Sequence, residues 1–458
     1  MPKFRRSLFI FRRDLRIEDN TGLREAMDLS DEVLPCFIFD PRLADPEREY
    51  FNSNAFQFLI ESLDDLRKQF ESKGGTLYIF SGLPEDIISK LNDKIGVDAV
   101  FINRDYTPFS RRRDKSIDLA CKAFNIQLLD FHDSLLTQPG TVLTRKGKPY
   151  SVFSQFYREA SKRKIPLPST IQDAGFYTGD PDVDQVEDPS KLLPARNEQL
   201  FATGGRQNAL KVVEDLSQFE DYDELRDYPS ISGTTGLSAH NKLGTVSIRE
   251  LYHSLKEELG TGHTLIRELY WRDFFTHIAF HYPHVFKHAF REKFEKISWD
   301  YDRPGFGAWC SGDTGFPIVD AGMRELNETG YMHNRVRMIT ASFLVKDLHL
   351  DWRWGERYFA SKLVDYDPCV NNGNWQWAAS TGADSQPFFR IFNPWLQQRK
   401  YDPECKYIKK WVPELSEFKP KAIHALEKAE LPEDAAYRRP MVDHSVERAR
   451  SLVVFRSV

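Results

Sequence analysis

Cysteine is scarce in this 458-residue chain, and its five copies, Cys36, Cys121, Cys310, Cys369 and Cys405, stand far apart with no C-x-x-C pair. That spacing argues against a disulfide framework and against a zinc site, and it suits a reducing compartment. No metal is expected. Long hydrophobic runs are missing as well. No apolar stretch approaches the roughly 20 residues that span a bilayer, and the apolar run inside MPKFRRSLFIFRRDL is too short for a signal peptide. The expected setting is cytoplasmic, away from membranes, or nuclear if the source has a nucleus. Positive charge is not in excess. The formal net charge is −5, which argues against coating nucleic acid through bulk charge but leaves room for a local basic patch. Neither G-x-G-x-x-G nor a P-loop occurs, so nucleotide sites of those two types have no support.

Aromatic side chains are plentiful, at 13% of residues. The length allows two or three domains with large cores. In the first part, SLFIF, VLPCFIFD, TLYIF, DAVFI and IQLLDF read as buried strands. Between them NAFQFLIESLDDLRKQF (54–70) and DIISKLNDKI carry apolar residues at helical spacing. Strands alternating with helices predict an α/β domain over 1–132, a parallel doubly wound sheet whose ligands sit beyond the carboxyl ends of the strands. The pattern dissolves after that. KRKIPLPSTIQDAGFYTGDPDVDQVEDPSKLLP is rich in Pro, Asp and Gly, and 133–200 reads as an interdomain linker. From 201 to 458 helical spacing dominates, as in SIRELYHSLKEELG, IRELYWRDFFTHIAF and RMITASFLVKDLHL, and predicts an all-α domain without repeats.

Two segments of that helical part carry chemistry. Asp351–Pro394 holds Trp352, Trp354, Trp375 and Trp377 in a polar setting with Asp365 and Asp367. Tryptophan usually serves packing, but four in so polar a stretch suit a redox cofactor or a flat ligand. In GTTGLS, Gly233 and Gly236 allow close backbone approach, while Thr234, Thr235 and Ser238 offer hydroxyls and amides to an anion. Alone, such a run is more often a plain loop.

Together these motifs resemble the photolyase and cryptochrome family over nearly the whole chain. FRRDLRIEDN (11–20) resembles the family's N-terminal signature, and GTTGLSAHNKLG (233–244) its flavin-diphosphate loop. ELYWRDFF (268–275), MHNRVRM (332–338) and NNGNWQWAASTG (371–382) resemble its flavin and substrate motifs. The resemblance implies FAD held by Tyr222, Thr234, Thr235, Gly236, Leu237, Ser238, Arg337, Asp365, Asp367 and Asn371. Arg337 and Asp365 would pair beside the ring, where a guanidinium favours an anionic reduced flavin. Without the resemblance, an ion pair joining two helices explains them equally well. Asn371 matches the position facing flavin N5, where asparagine is the photolyase choice. Trp375, Trp352 and Trp299 match an electron-transfer chain from flavin to surface. Trp354 would branch that chain or simply pack.

Among family branches, the chain is most like those that repair cyclobutane pyrimidine dimers. Glu268, Trp271, Asn334, Met338 and Trp377 match their lesion pocket, with Trp271 and Trp377 stacking on a flipped-out dimer. Glu268 and Asn334 would hydrogen-bond the pyrimidine edges. Six-four photolyases resemble this segment with histidines where this chain has Asn334 and Met338. Arg335, Gln397 and Lys400 fall where the family meets DNA phosphates, whereas Lys406, Lys409 and Lys410 read as a solvated face. Tyr331 and Leu265 depart from bacterial relatives, which carry tryptophan at both positions. NRDYTPFSRRRD (103–114) has Phe109 and Ser110 where folate-binding relatives carry an Asn-Glu pair. Any second, antenna chromophore is therefore expected to be a deazaflavin or flavin rather than a folate. The expectation is a monomeric, light-driven lyase acting on UV-damaged DNA. The alternative is a cryptochrome-type blue-light receptor without repair, which the end of the chain at Val458, leaving no long tail, disfavours.

Overall fold

The computed structural model describes residues 2–171, 175–428 and 436–458. Contacts group the chain into two compact units. The first comprises Met1–Asn197, Ala202–Gln218 and Gly236–Pro283, and the second Glu198–Phe201, Phe219–Thr235 and His284–Val458. This grouping differs from a division at residue 200, because four helices that follow it, Arg206–Val213, Ser238–Leu243, Ile248–Leu259 and Thr264–His281, fall within the first unit.

The first unit is built on five parallel strands, β1 (Phe4–Phe11), β2 (Ser30–Phe39), β3 (Tyr78–Ser81), β4 (Ala99–Asn103) and β5 (Gln127–Phe131), in the order β3-β2-β1-β4-β5. The inner strands are continuous apolar runs because helices cover both faces; Leu8, Phe9, Leu34, Cys36, Val100 and Phe101 are fully buried. Asn20 starts the Thr21–Leu29 helix by accepting from Leu23 N–H, and Asn52 starts Ser53–Ser72 by accepting from Ala55 N–H.

The signature FRRDLRIEDN lies just past the end of β1, at the point where the strand order reverses. A ligand crevice is expected there, but the chain closes that place with its own side chains. Asn103 donates to Asp14 Oδ2 at 2.6 Å and to Asn20 Oδ1 at 2.8 Å, and Arg12 pairs with Asp114.

The segment read as a bare linker is not bare. Phe153–Ala160 forms a helix that buries Phe153, Phe156 and Ala160, a spacing of three and four that places them on one face. Residues 172–174 of that segment lie outside the described residues. In the second unit helices surround one core that includes Trp309, Phe316, Phe343, Trp352, Trp375 and Trp395. Asp302, His333, Asp351, Asp367, Asn393 and Asp443 each cap a helix there through the side chain. No helix among the described residues is long and apolar enough to cross a membrane.

Candidate functional site

The residues expected beside a flavin ring lie on the helices Asn334–Lys346 and Pro368–Ala378 of the second unit and on the turn that leads into the latter. Arg337, on Asn334–Lys346, donates Nη2 to Asp365 Oδ2 at 2.9 Å and Nε to the Met332 carbonyl at 2.7 Å. Burial opposes the charge of Arg337, but Asp365, Tyr331 and Glu325 outweigh it and hold the guanidinium above its ordinary pKa. Asp365 Oδ1 is buried and has no donor. Buried polar atoms are almost always partnered, so this oxygen marks a place for an N–H from outside the protein. Asp367 has a local task as well: it caps Pro368–Ala378, accepting from Cys369 N–H at 2.9 Å and Val370 N–H at 3.2 Å. Asn371, buried on the first turn of that helix, donates Nδ2 to Glu356 Oε1 at 2.9 Å and to the Glu356 carbonyl at 3.1 Å. Burial pushes the Glu356 carboxyl up to about 7, against the pull of Asn371 and Arg357. Sequence reading missed Glu356. It comes from the neighbouring helix and carries no motif.

Of the three expected relay tryptophans, two are buried and one is half-buried. Trp375 is 2% exposed and packs edge-to-face on Phe359 at 4.9 Å. Gly355 is required here, because a β-carbon on it would collide with the Trp375 indole and with Leu344. Trp352 is buried with the Arg353 guanidinium 4.9 Å from its ring. Trp299 is half-buried against Phe455.

Asn334 and Met338 lie one helical turn apart, with Nδ2 3.9 Å from Sδ. Trp377 is half-buried against the same core as Trp375. Arg335 is already paired in the chain: it binds both oxygens of Asp227, at 2.5 and 3.2 Å, and lies over Tyr401. Lys400 is exposed near Tyr401, and Gln397 Oε1 is buried without a donor. Tyr222 carries Arg226 over its ring, and Thr234 hydrogen-bonds Tyr331. Thr234 also lines a cavity of about 990 Å³ within the second unit, whose walls include Tyr331, His333 and Glu325.

Thr235 ends a stretch of the second unit, and the remaining expected residues belong to the first unit. Gly236 adopts φ +66°, a left-handed backbone suited to glycine, before the helix Ser238–Leu243. Leu237 is buried and Ser238 exposed. At six residues that helix offers an anion its amides and hydroxyls rather than a long dipole. Glu268 and Trp271 project from Thr264–His281. One face of Trp271 is already taken, stacked 3.6 Å from Phe153 at 7°. The residues read as linker therefore brace an expected substrate side chain, and the aromatic spacing of SVFSQFYREA was the signal for it. A second feature beyond sequence reading lies past the carboxyl ends of β2 and β4. Arg42 and Arg113 both lie over the Phe109 ring, and Arg113 Nη2 is buried without a partner.

Comparison with known proteins covers both halves of the chain. Residues 7–172 match the family model described as DNA photolyase, and 265–457 the one described as FAD binding domain of DNA photolyase. The deoxyribodipyrimidine photo-lyase of Alkalihalophilus pseudofirmus is 36% identical, over 97% of this chain and 97% of that one. The archaeal photolyase of Sulfolobus tokodaii, solved with two FAD molecules, is 43% identical with a TM-score of 0.89, over 99% of this chain and 100% of that one. A Synechocystis cryptochrome is 28% identical with a TM-score of 0.90, over 99% of this chain and 100% of that one.

Proposed function

The chain belongs to the DNA photolyase family, and on that premise we propose that it repairs cyclobutane pyrimidine dimers in UV-damaged DNA, as a monomer and under blue light. The observation that carries the choice of lesion is the pairing of Asn334 with Met338 on one helical turn. An amide and a thioether can hydrogen-bond and pack against a pyrimidine pair. Neither can act as the imidazole acid that six-four repair places there.

The protein fits FAD at its flavin side through the donorless Asp365 Oδ1, which suits a ring N–H. When bound and reduced, FAD supplies the excited-state electron that splits the cyclobutane ring and then returns. The chain's own groups do the rest. Arg337 keeps positive charge beside the ring, and Asn371 presents its amide oxygen while Glu356 holds its nitrogen. Tyr222, Thr234, Thr235, Gly236, Leu237 and Ser238 take the diphosphate side, and Asp367 fixes the helix that carries Asn371. Trp271 and Trp377 are the stacking residues for the extruded dimer, and Glu268 is the one that hydrogen-bonds its edge. Gln397 and Lys400 hold phosphates, joined by Arg335 sharing its guanidinium with Asp227. Trp375, Trp352 and Trp299 supply electrons that restore reduced FAD.

A second chromophore of deazaflavin or flavin type is supported by the Phe109 ring between Arg42 and Arg113, a flat apolar face flanked by cations. The relative solved with two FAD molecules points the same way.

The test is repair of two oligonucleotides, one bearing a cyclobutane dimer and one a six-four product, by native protein and by Glu268→Ala. Native protein should restore only the first, and the variant should keep its FAD yet repair several-fold less per absorbed photon. Equal repair by the variant would remove Glu268 from the site, and repair of the six-four product would overturn the lesion assignment.

A further inference from the structure

One aromatic set is left over by the relay of Trp375, Trp352 and Trp299. Trp375 also meets Trp309 edge-to-face, with centroids 6.1 Å apart at 70°, and Trp309 is fully buried. The rings then continue outward. Phe306 stacks on Trp309 at 5.8 Å, Trp354 packs on Phe306 at 5.2 Å, and Tyr301 packs on Trp354 at 5.3 Å. Tyr301 is 74% exposed. Electron tunnelling weakens exponentially with distance, so a run of rings in contact is a route, and Phe306 serves in it as a bridge rather than a stop.

The surroundings set a direction. Trp309 Nε1 donates to the Thr340 carbonyl at 3.1 Å, which places negative dipole at the indole N–H and favours its oxidised form. Arg303 lies 4.8 Å from the Trp354 ring and 5.0 Å from that of Tyr301, and its Nε donates to the Tyr301 hydroxyl at 2.9 Å. A guanidinium there disfavours a lasting radical cation on Trp354. On oxidation Tyr301 gives its phenolic proton to the water at its exposed face.

We propose that Trp309, Trp354 and Tyr301 form a second oxidation route that branches from Trp375 and ends at the surface as a tyrosyl radical. It rests on the reading that Trp375 donates an electron to photoexcited flavin. One electron passes from Trp309 to oxidised Trp375, one from Trp354 to Trp309 across Phe306, and one from Tyr301 to Trp354. Tyr301 releases its proton to water, and a solution thiol then returns a hydrogen atom to its oxygen. The flavin is the oxidant and the thiol the reductant, one electron for one.

The experiment follows FAD photoreduction by transient absorption, and radicals by electron paramagnetic resonance, in the full-length FAD-loaded protein. Trp299→Phe closes the expected exit. Photoreduction should persist at a reduced rate in this variant, with a tyrosyl signal. Adding Tyr301→Phe should abolish that signal, and adding Trp354→Phe should remove the remaining photoreduction. Both added positions are outside the tight core, and bound FAD per protein should be unchanged. Complete loss of photoreduction in Trp299→Phe alone, with native protein active and FAD bound, overturns the branch and leaves the main relay standing. Persistence that Trp354→Phe does not reduce also overturns it. A native protein that does not photoreduce at all overturns the relay reading and the branch together.

Discussion

In the first unit Asp133 accepts from Arg16 at 2.7 Å, from Arg249 at 2.8 Å, and from the Thr21 amide and hydroxyl at 3.1 and 2.8 Å. Arg249 continues to Asp19 at 2.9 Å. In the second unit Asp365 accepts from Arg337 through one oxygen and keeps the other buried without a donor. The residue types are alike and both carboxylates are buried, and the difference lies in saturation. A carboxylate with both oxygens taken has nothing left to offer a ligand, so its cluster holds elements of the chain together. A carboxylate with one oxygen open carries an unmet cost until a ligand arrives. The signature FRRDLRIEDN supplies Arg16 and Asp19 to the saturated cluster, so the motif that helps identify the family also serves its architecture.

Breaking each cluster in the same way separates scaffold from site. Asp133→Asn leaves two buried guanidiniums short of a counter-charge, and urea titration should show a loss of about 3–5 kcal/mol. An acid without an arginine hydrogen-bonded to it sharpens the contrast. Asp273 accepts from Thr137 N–H at 2.7 Å and Thr137 hydroxyl at 2.8 Å, and burial pushes its carboxyl up to about 7. For Asp133 burial acts against the charge, but Arg16 and Arg249 hold the carboxyl well below the usual range. The signs are therefore opposite. Asp133 contributes stability above the unfolded carboxyl value of about 3.9, lost on acidification. Asp273 keeps its proton when folded, so its contribution is greatest below about pH 4 and declines as pH rises to about 7. Between pH 5 and 7.5 the urea midpoint of native protein should fall relative to that of Asp273→Asn, and parallel curves would contradict the assignment.

At the unsaturated cluster, Asp365→Asn should lower the melting temperature little yet weaken FAD binding by ten- to a hundredfold, about 1.5–3 kcal/mol. Equilibrium titration of apoprotein with FAD checks it, and a stability loss matching that of Asp133→Asn would collapse the distinction. The smallest effect is expected at Gly355→Ala. Overpacking against Trp375 should cost about 1–3 kcal/mol and slow flavin photoreduction by displacing the indole.

How much of this the sequence discloses depends on how local the signal is. All five strands and the long helices show in apolar spacing, because burial on a sheet or helix face repeats along the chain. The Phe153–Ala160 helix did not, since its eight residues sit in a stretch whose Pro, Asp and Gly content dominates the reading. Arg337 and Asp365 could be named from motifs, but the donorless oxygen on Asp365 exists only in three dimensions. The same holds for Asp227 on Arg335 and Glu356 on Asn371, partners that lie 108 and 15 residues away. Trp354 left two readings open in the sequence, and its contacts with Phe306 and Tyr301 give the branching one a route.

The most direct test of the central claim is recovery of intact thymines from a cyclobutane-dimer oligonucleotide, using photoreduced, FAD-loaded protein under blue light beside a dark control. The account predicts recovery in the light and none in the dark. No recovery in the light, with FAD bound and reducible, would contradict it and move the chain to the receptor branch of the family.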